Sequence, residues 1–281
     1  MFNKINSGLV AFFVASLIPS NAYAHEGLVL HVLDRWENCS IQFDPTLTQG
    51  AWQKFTREAG LIAYFRPLSS AKPLGARKFE IILTQGRAPI DDRDPAWNDT
   101  FVHPHSTHWI YAEVSEEPGE ITAGHSDSPH TLNLPLPLVR IGITDRIDIS
   151  GTFLMAPGAN YGFGGAQLQY NLLNDTDKNL AAAARVGAMA IVGAEDLSLT
   201  AYSFDFIASK DISILSAYVG LGTYLMRSHE NSPVVDLKNE NILGFQGMVG
   251  VSTTLFSHLR IGAEMSVSAL TMPVIVIGYS R

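Results

Sequence analysis

Five histidines lie close together in one stretch of the chain, where they could bind a metal ion. His103, His105 and His108 fall within a few residues of one another, and His125 and His130 follow. Imidazole is the commonest side-chain metal ligand near neutral pH. The spacing matches no tight metal motif, however, and no cysteine or carboxylate pattern completes a tetrahedral set. We therefore expect an ordinary polar loop with no metal and no cofactor, and the role of this histidine stretch stays open.

Other residues with reactive side chains form no recognisable catalytic site. Three aspartates cluster between residues 91 and 94, but Arg93 and Pro95 break the pattern of a calcium-binding loop. Ser257 and His258 are adjacent, which is no evidence for a nucleophile and its base, because such a pair is recognised by its geometry in space. The phosphate-loop, Gly-x-Ser-x-Gly and His-Glu-x-x-His motifs are absent from the sequence. We predict no catalytic residues and a protein that is not an enzyme.

The composition excludes several classes of protein. The net charge is −8 without a basic cluster, so nucleic acid is not an expected partner. The single cysteine, Cys39, cannot form an internal disulfide. Charged residues make up 16% of the chain, whereas about a quarter is usual in soluble proteins. Low charge favours a membrane barrel, in which half of the strand positions face lipid.

The N-terminus has the features of a secretory signal peptide. Lys4 supplies a positive charge, residues 8–19 are largely apolar, and Ala22-Tyr23-Ala24 forms a small-x-small cleavage site. We expect residues 1–24 to be removed by cleavage after Ala24. No run of 18 apolar residues follows, so no transmembrane helix is predicted.

Beyond residue 58, short segments alternate apolar and polar residues, as strands with one apolar face do. We predict strands near residues 59–66, 76–85, 134–144, 146–157, 163–173, 181–193, 198–209, 212–226, 241–255, 258–268 and 272–280. The tightest connections between them are expected at residues 144–146, 209–211 and 256–258. Such a row of strands behind a secretory signal is typical of an outer-membrane β-barrel, which spans the membrane with an even number of antiparallel strands. We therefore predict an all-β, up-and-down transmembrane barrel of about twelve strands, with ten as the alternative.

The predicted domains are the signal peptide, an N-terminal segment at residues 25–58 and the barrel at residues 59–281. A short helix is predicted at residues 45–58, with Thr48 as its N-cap and with Trp52 and Phe55 on one face. This segment is interpreted either as a plug or periplasmic foot, or as a helix that seals one end of the barrel as part of the core.

The charged and amide side chains on the polar faces of the strands are the candidate functional residues. The alternation places them toward the lumen: Arg140, Asp148, Gln167, Gln169, Arg185, Asp205, Arg260 and Glu264. They would either set the selectivity of a narrow pore or pair with one another and brace a filled barrel.

Several short segments along the chain carry a resemblance to known proteins: residues 42–48 (QFDPTLT), 55–60 (FTREAG), 64–68 (YFRPL), 73–75 (PLG), 90–92 (IDD), 136–142 (LPLVRIG) and 157–160 (PGAN). In these segments the chain resembles a family of porin-like, poorly characterised Gram-negative outer-membrane barrel proteins. The resemblance covers most of the chain after the signal peptide. It implies a signal-bearing outer-membrane barrel and no established activity.

We therefore expect an integral outer-membrane barrel that acts as a narrow pore, a solute passage or a structural barrel. Its expected partners are the lipid bilayer of the outer membrane, the outer-membrane assembly machinery and a small solute of unknown identity. The alternative is a soluble periplasmic barrel that binds an apolar ligand. The two differ in the direction of side chains such as Ile261, Met265 and Val267, which face lipid in the first case and the interior in the second.

Overall fold

The computed structural model describes the barrel and the segment that precedes it. The described residues are 41, 43–66, 68–91, 94–98, 131–155, 161–194 and 196–281. The predicted signal peptide and the loop with His103, His105 and His108 lie outside these residues. No helix within the described ranges is long and apolar enough to cross a membrane.

Ten strands form a closed antiparallel ring in the described part of the chain. Each strand pairs with the next one in sequence, and β10 pairs with β1. The strands are β1 (Phe79–Pro89), β2 (Thr131–Gly142), β3 (Ile147–Met155), β4 (Gly162–Asp175), β5 (Leu180–Val192), β6 (Leu197–Ile212), β7 (Leu215–Glu230), β8 (Glu240–Leu255), β9 (Leu259–Val267) and β10 (Thr271–Ser280). The predicted up-and-down barrel is confirmed, with ten strands and not about twelve.

A helix precedes the barrel wall. Helix α1 (Gln49–Ile62) begins after the predicted N-cap Thr48, whose side chain accepts a hydrogen bond from the Ala51 N–H at 3.3 Å. Trp52 and Phe55 are buried on its apolar face, as the helical spacing predicts. A single helical turn, α2 (Pro95–Asn98), follows β1 in the connection to β2.

The prediction of a strand near residues 59–66 is wrong. Helix α1 continues to Ile62, and the first strand of the wall begins at Phe79. Residues 61–65 are all apolar and all buried, and a short apolar run fits a helix end or a buried strand equally well. Without this segment, ten of the eleven predicted strands remain in the wall. Ten is an even number, so no additional strand is needed.

The outer surface of the barrel is apolar. On β9, Ile261, Met265 and Val267 point outward, whereas Arg260 and Glu264 are buried inside. Outward aliphatic and aromatic side chains occur around the ring, among them Ile81, Val139, Ile149, Leu168, Val186, Phe206, Leu221, Phe245 and Ile275. A soluble ligand-binding barrel would turn its apolar face inward, so that alternative is not favoured. The solvent of this outer face is lipid.

The two ends of the barrel differ in the length of their connections. One end has only tight turns, at residues 143–146, 176–179, 213–214 and 256–258, and the other carries the long connections at residues 90–130 and 231–239. Outer-membrane barrels have short periplasmic turns and longer external loops. The tight-turn end is therefore assigned to the periplasm.

One tight turn lies a few residues beyond its predicted place. Residues 209–211 belong to β6, and the chain reverses at Ser213 and Ile214, where Ser213 has a positive φ of 58°. Ser209 and Asp211 are polar because they bond to chain inside the barrel: the Ser209 hydroxyl accepts from the Ala71 N–H, and Asp211 pairs with Lys72. Two of the three polar residues that resemble a turn in the sequence thus lie on the inner side of a strand, and Lys210 between them is exposed.

We predict that a lysine on the outer face is tolerated at the rim and not in the middle of the barrel. Leu221 and Ile214 are 73% and 76% exposed, but Leu221 lies within β7 and Ile214 lies in a turn. Leu221→Lys should cost about 2–4 kcal/mol and Ile214→Lys about 0–1 kcal/mol. Urea titration of each variant in lipid vesicles measures the two losses, and equal losses would contradict a lipid-facing Leu221.

We also predict opposite accessibility for the two ends. An epitope inserted after Ser232 in the 231–239 connection should bind antibody on intact cells. The same epitope inserted between Ser213 and Ile214 should bind only after the outer membrane is permeabilised. The reverse pattern would invert the assigned orientation.

Candidate functional site: the plugged lumen

Residues 49–66 and 68–75, which precede β1, run through the inside of the barrel. We call these residues the plug, and those of them that follow helix α1, residues 63–66 and 68–75, the lumen segment. At the long-loop end, the Thr56 and Ser228 hydroxyls are 2.6 Å apart. At the tight-turn end, the Leu74 N–H donates to both carboxylate oxygens of Asp148, at 3.2 and 3.1 Å. The plug therefore extends from one end of the lumen toward the other.

The wall holds the lumen segment mainly through its backbone. Arg260 donates to the Leu68 carbonyl at 2.6 Å, and Arg185 donates to the Ser69 carbonyl at 2.7 Å. Further along the segment, Asn171 donates to the Ala71 carbonyl at 3.0 Å. Buried carbonyl and amide groups require hydrogen-bond partners. The inward side chains of the wall provide partners that an isolated extended segment lacks.

All eight lumen-facing candidates are buried on the inner side of the ring. Seven of them bond to the plug: Arg140 to the Lys72 carbonyl, Asp148 to the Leu74 N–H, Gln167 to the Phe65 carbonyl, Gln169 to the Ala71 and Lys72 carbonyls, Arg185 to the Ser69 and Ser70 carbonyls, Asp205 to the Tyr64 hydroxyl, and Arg260 to the Leu68 carbonyl. The eighth, Glu264, accepts from the Tyr218 hydroxyl at 3.0 Å.

Two ion pairs link strands on the inner side of the barrel wall. Arg140 on β2 pairs with Asp148 on β3, and the Arg260 Nε on β9 lies 2.5 Å from the Glu80 carboxylate on β1. All four side chains are buried. A buried ion pair is stable only when additional hydrogen bonds satisfy its remaining donors and acceptors. Here backbone groups of the plug form some of these additional hydrogen bonds.

The functional residues that sequence reasoning missed lie both on the plug and on the wall. Tyr64 and Arg66 were assigned to a wall strand, so their contacts with the interior were not predicted. Glu80 and Asn171 lie on inward positions of strands, and strict alternation along these strands could have identified them. The pairing of Glu80 with Arg260 depends on the closure of β1 against β10 and β9, which no local pattern indicates.

Polar contacts connect helix α1 to the external connections. The Lys54 ammonium lies 2.6 Å from Asp94, and the Trp97 indole N–H donates to Glu58 at 2.5 Å. The hydrogen bond to Asp94 raises the pKa of Lys54. Partial burial acts to raise the pKa of Asp94, but hydrogen bonds from Lys54 and from the Ala96 N–H outweigh it and lower that pKa. The Lys54–Asp94 pair is partly exposed, so its contribution to stability is small.

Little space remains beside the plug. A cavity lined by residues including Arg66, Thr84, Leu136 and Met272 has a volume of about 30 Å³. That volume holds one or two water molecules. The described ranges contain no cluster of three histidine, cysteine or acidic residues that could hold a metal ion. In the part of the chain that the structure describes, the plug occupies the lumen.

No protein-family model and no curated protein sequence matches the chain. Among solved structures, an outer-membrane channel from Pseudomonas putida F1 is similar at 9% identity and a TM-score of 0.44, over 78% of this chain and 100% of that chain. The translocator domain of the autotransporter NalP from Neisseria meningitidis is similar at 10% identity and a TM-score of 0.35, over 73% of this chain and 88% of that chain. The N-terminal β-barrel domain of OprF from Pseudomonas aeruginosa is similar at 12% identity and a TM-score of 0.29, over 74% of this chain and 99% of that chain.

The barrel is observed directly in this chain, so its assignment does not depend on these similarities. In the closed ring every strand has a hydrogen-bonded neighbour on each side, as a lipid environment requires. Its outer face is apolar, as in outer-membrane barrels, and its inner face carries buried charged and amide side chains together with apolar ones that pack around helix α1. The protein is an integral outer-membrane β-barrel.

We predict that the Arg260–Glu80 pair is strongly coupled. Arg260→Met should destabilise the barrel by about 3–5 kcal/mol, because it leaves the Glu80 charge buried without its partner. Glu80→Met should be comparably harmful. The double variant should recover most of the loss, since an apolar pair of similar volume avoids the uncompensated charge. Urea unfolding in vesicles gives the three values, and additive losses would show that the two side chains act independently.

Proposed function

We propose that this protein is a narrow outer-membrane channel that its own plug keeps closed. The proposal is carried by one observation: seven polar residues of the wall bond to the plug. Displacement of the plug would expose these side chains to water and leave a passage that they line together with the apolar inner residues of the wall. Charged and amide groups that line a narrow passage set which solutes it conducts.

The width of the barrel supports this proposal. Eight-stranded barrels are filled by their own side chains, and barrels with more strands have a wider interior. In this ten-stranded ring the wall side chains leave room for an extended polypeptide, and the lumen segment occupies that room. A purely structural barrel is the competing possibility, and in that case the plug never leaves.

A reversible disulfide between plug and wall tests the proposal. Thr56→Cys and Ser228→Cys place two thiols where the hydroxyls are 2.6 Å apart, within reach of a disulfide after small side-chain adjustments. Cys39→Ser removes the native thiol from the background. In planar bilayers we expect brief openings of the reduced variant, their loss on oxidation and their return with reductant. Each single-cysteine variant, oxidised in the same way, serves as the control.

Gln169→Ala should open the channel more often. It removes hydrogen bonds to the Ala71 and Lys72 carbonyls, both at 3.3 Å. At about 1 kcal/mol per bond, the open fraction should rise roughly ten- to thirtyfold. Gln85→Ala is the matched control, because Gln85 points outward and its side chain donates to the carbonyl of its neighbour Gly86 and to no plug residue that the structure describes. Folded Gln169→Ala protein that never conducts, or openings that persist in the cross-linked protein, would leave only the structural role.

A further inference from the structure

Away from the long-loop end, the inner wall has one more buried carboxylate than it has buried guanidinium groups. The buried acids there are Glu80, Asp148, Asp205 and Glu264, and the buried bases of the wall are Arg140, Arg185 and Arg260. Arg140 pairs with Asp148, and Arg260 pairs with Glu80. Asp205 and Glu264 therefore share one wall cation, Arg185, which attracts both electrostatically.

The plug supplies the missing positive charge through Arg66. Its guanidinium is attracted by Glu264 and Asp205, and its Nε donates to the Ser266 hydroxyl at 3.3 Å. The guanidinium carbon lies 5.5 Å from the centre of the Tyr64 ring, within the range of a cation–π contact. The second Nη donates to the Leu61 carbonyl at 2.6 Å, so Arg66 also caps the C-terminal end of helix α1.

Glu264 retains an acceptor that this arrangement does not use. Its Oε2 accepts from the Tyr218 hydroxyl, but its Oε1 is buried and has no hydrogen-bond partner among the described residues. Glu264 as a whole is only 3% exposed. A buried carboxylate oxygen without a donor is costly unless a donor or cation reaches it.

From these contacts we infer that the open lumen binds a small organic cation of the guanidinium type between Asp205 and Glu264, at the place that Arg66 holds when the plug is in. This inference rests on the proposed channel function. The plug carries Arg66 away when it leaves, whereas both carboxylates and Ser266 remain on the wall. In the closed state, the Arg66 guanidinium therefore occupies the proposed cation site. A cation bound there in the open lumen would compete with the return of the plug.

The test uses full-length Gln169→Ala protein in planar bilayers, because this substitution opens the channel without changing its charge. In a potassium chloride gradient, the reversal potential should show a preference for potassium over chloride. Guanidinium chloride should block the current at concentrations at least about tenfold lower than tetramethylammonium chloride, which has the charge without the hydrogen-bond donors. Urea, which is neutral, should not block.

Glu264→Gln, added to the Gln169→Ala protein, should weaken the guanidinium block about tenfold or more and reduce the preference for cations. Asp205→Asn should act in the same direction, and it replaces Glu264→Gln if that variant does not fold. Asp236→Asn, the same loss of charge in the external 231–239 connection, should change neither property. Current without a cation preference, or with equal block before and after Glu264→Gln, would overturn the inference while the channel function stands. Folded protein that never conducts would instead overturn the channel function.

Discussion

The lumen segment has no neighbouring strand, so its buried carbonyl groups must obtain hydrogen bonds from side chains. The wall provides them with Arg260, Arg185, Asn171, Gln169 and Arg140, in that order along the segment. This requirement explains why side chains with hydrogen-bond donors occupy inner positions on β2, β4, β5 and β9. It also explains why these inner positions carry arginine and amide side chains, which donate several hydrogen bonds each.

The same contacts join the stability of the barrel to the closure of its lumen. Arg140 and Arg260 each bridge a wall carboxylate and a plug carbonyl. Displacement of the plug would therefore break bonds that also satisfy buried ion pairs, which makes it costly. Arg66 adds an electrostatic component, because it is the one plug cation that faces Asp205 and Glu264.

The wall was largely predictable from the sequence because lipid outside and polar groups inside impose a period of two on every strand. Even β5, whose alanines favour a helix by intrinsic propensity, follows this pattern. The plug was not predictable at the same level. Residues 61–65 are apolar without a decisive period, and their role depends on enclosure by strands that come later in the chain. Individual contacts such as Arg185 with the Ser69 carbonyl depend on register and on the path of the plug, neither of which a local pattern contains.

Amide hydrogen exchange of the protein in liposomes tests most directly whether the lumen segment is held inside the barrel. The Ala71 N–H donates to the Ser209 hydroxyl at 3.1 Å, and the Leu74 N–H donates to Asp148. We expect a peptide that covers residues 68–75 to exchange far more slowly than the external 231–239 connection and to approach the protection of the wall strands. Exchange as fast as that of the 231–239 connection would contradict a plug held by the wall.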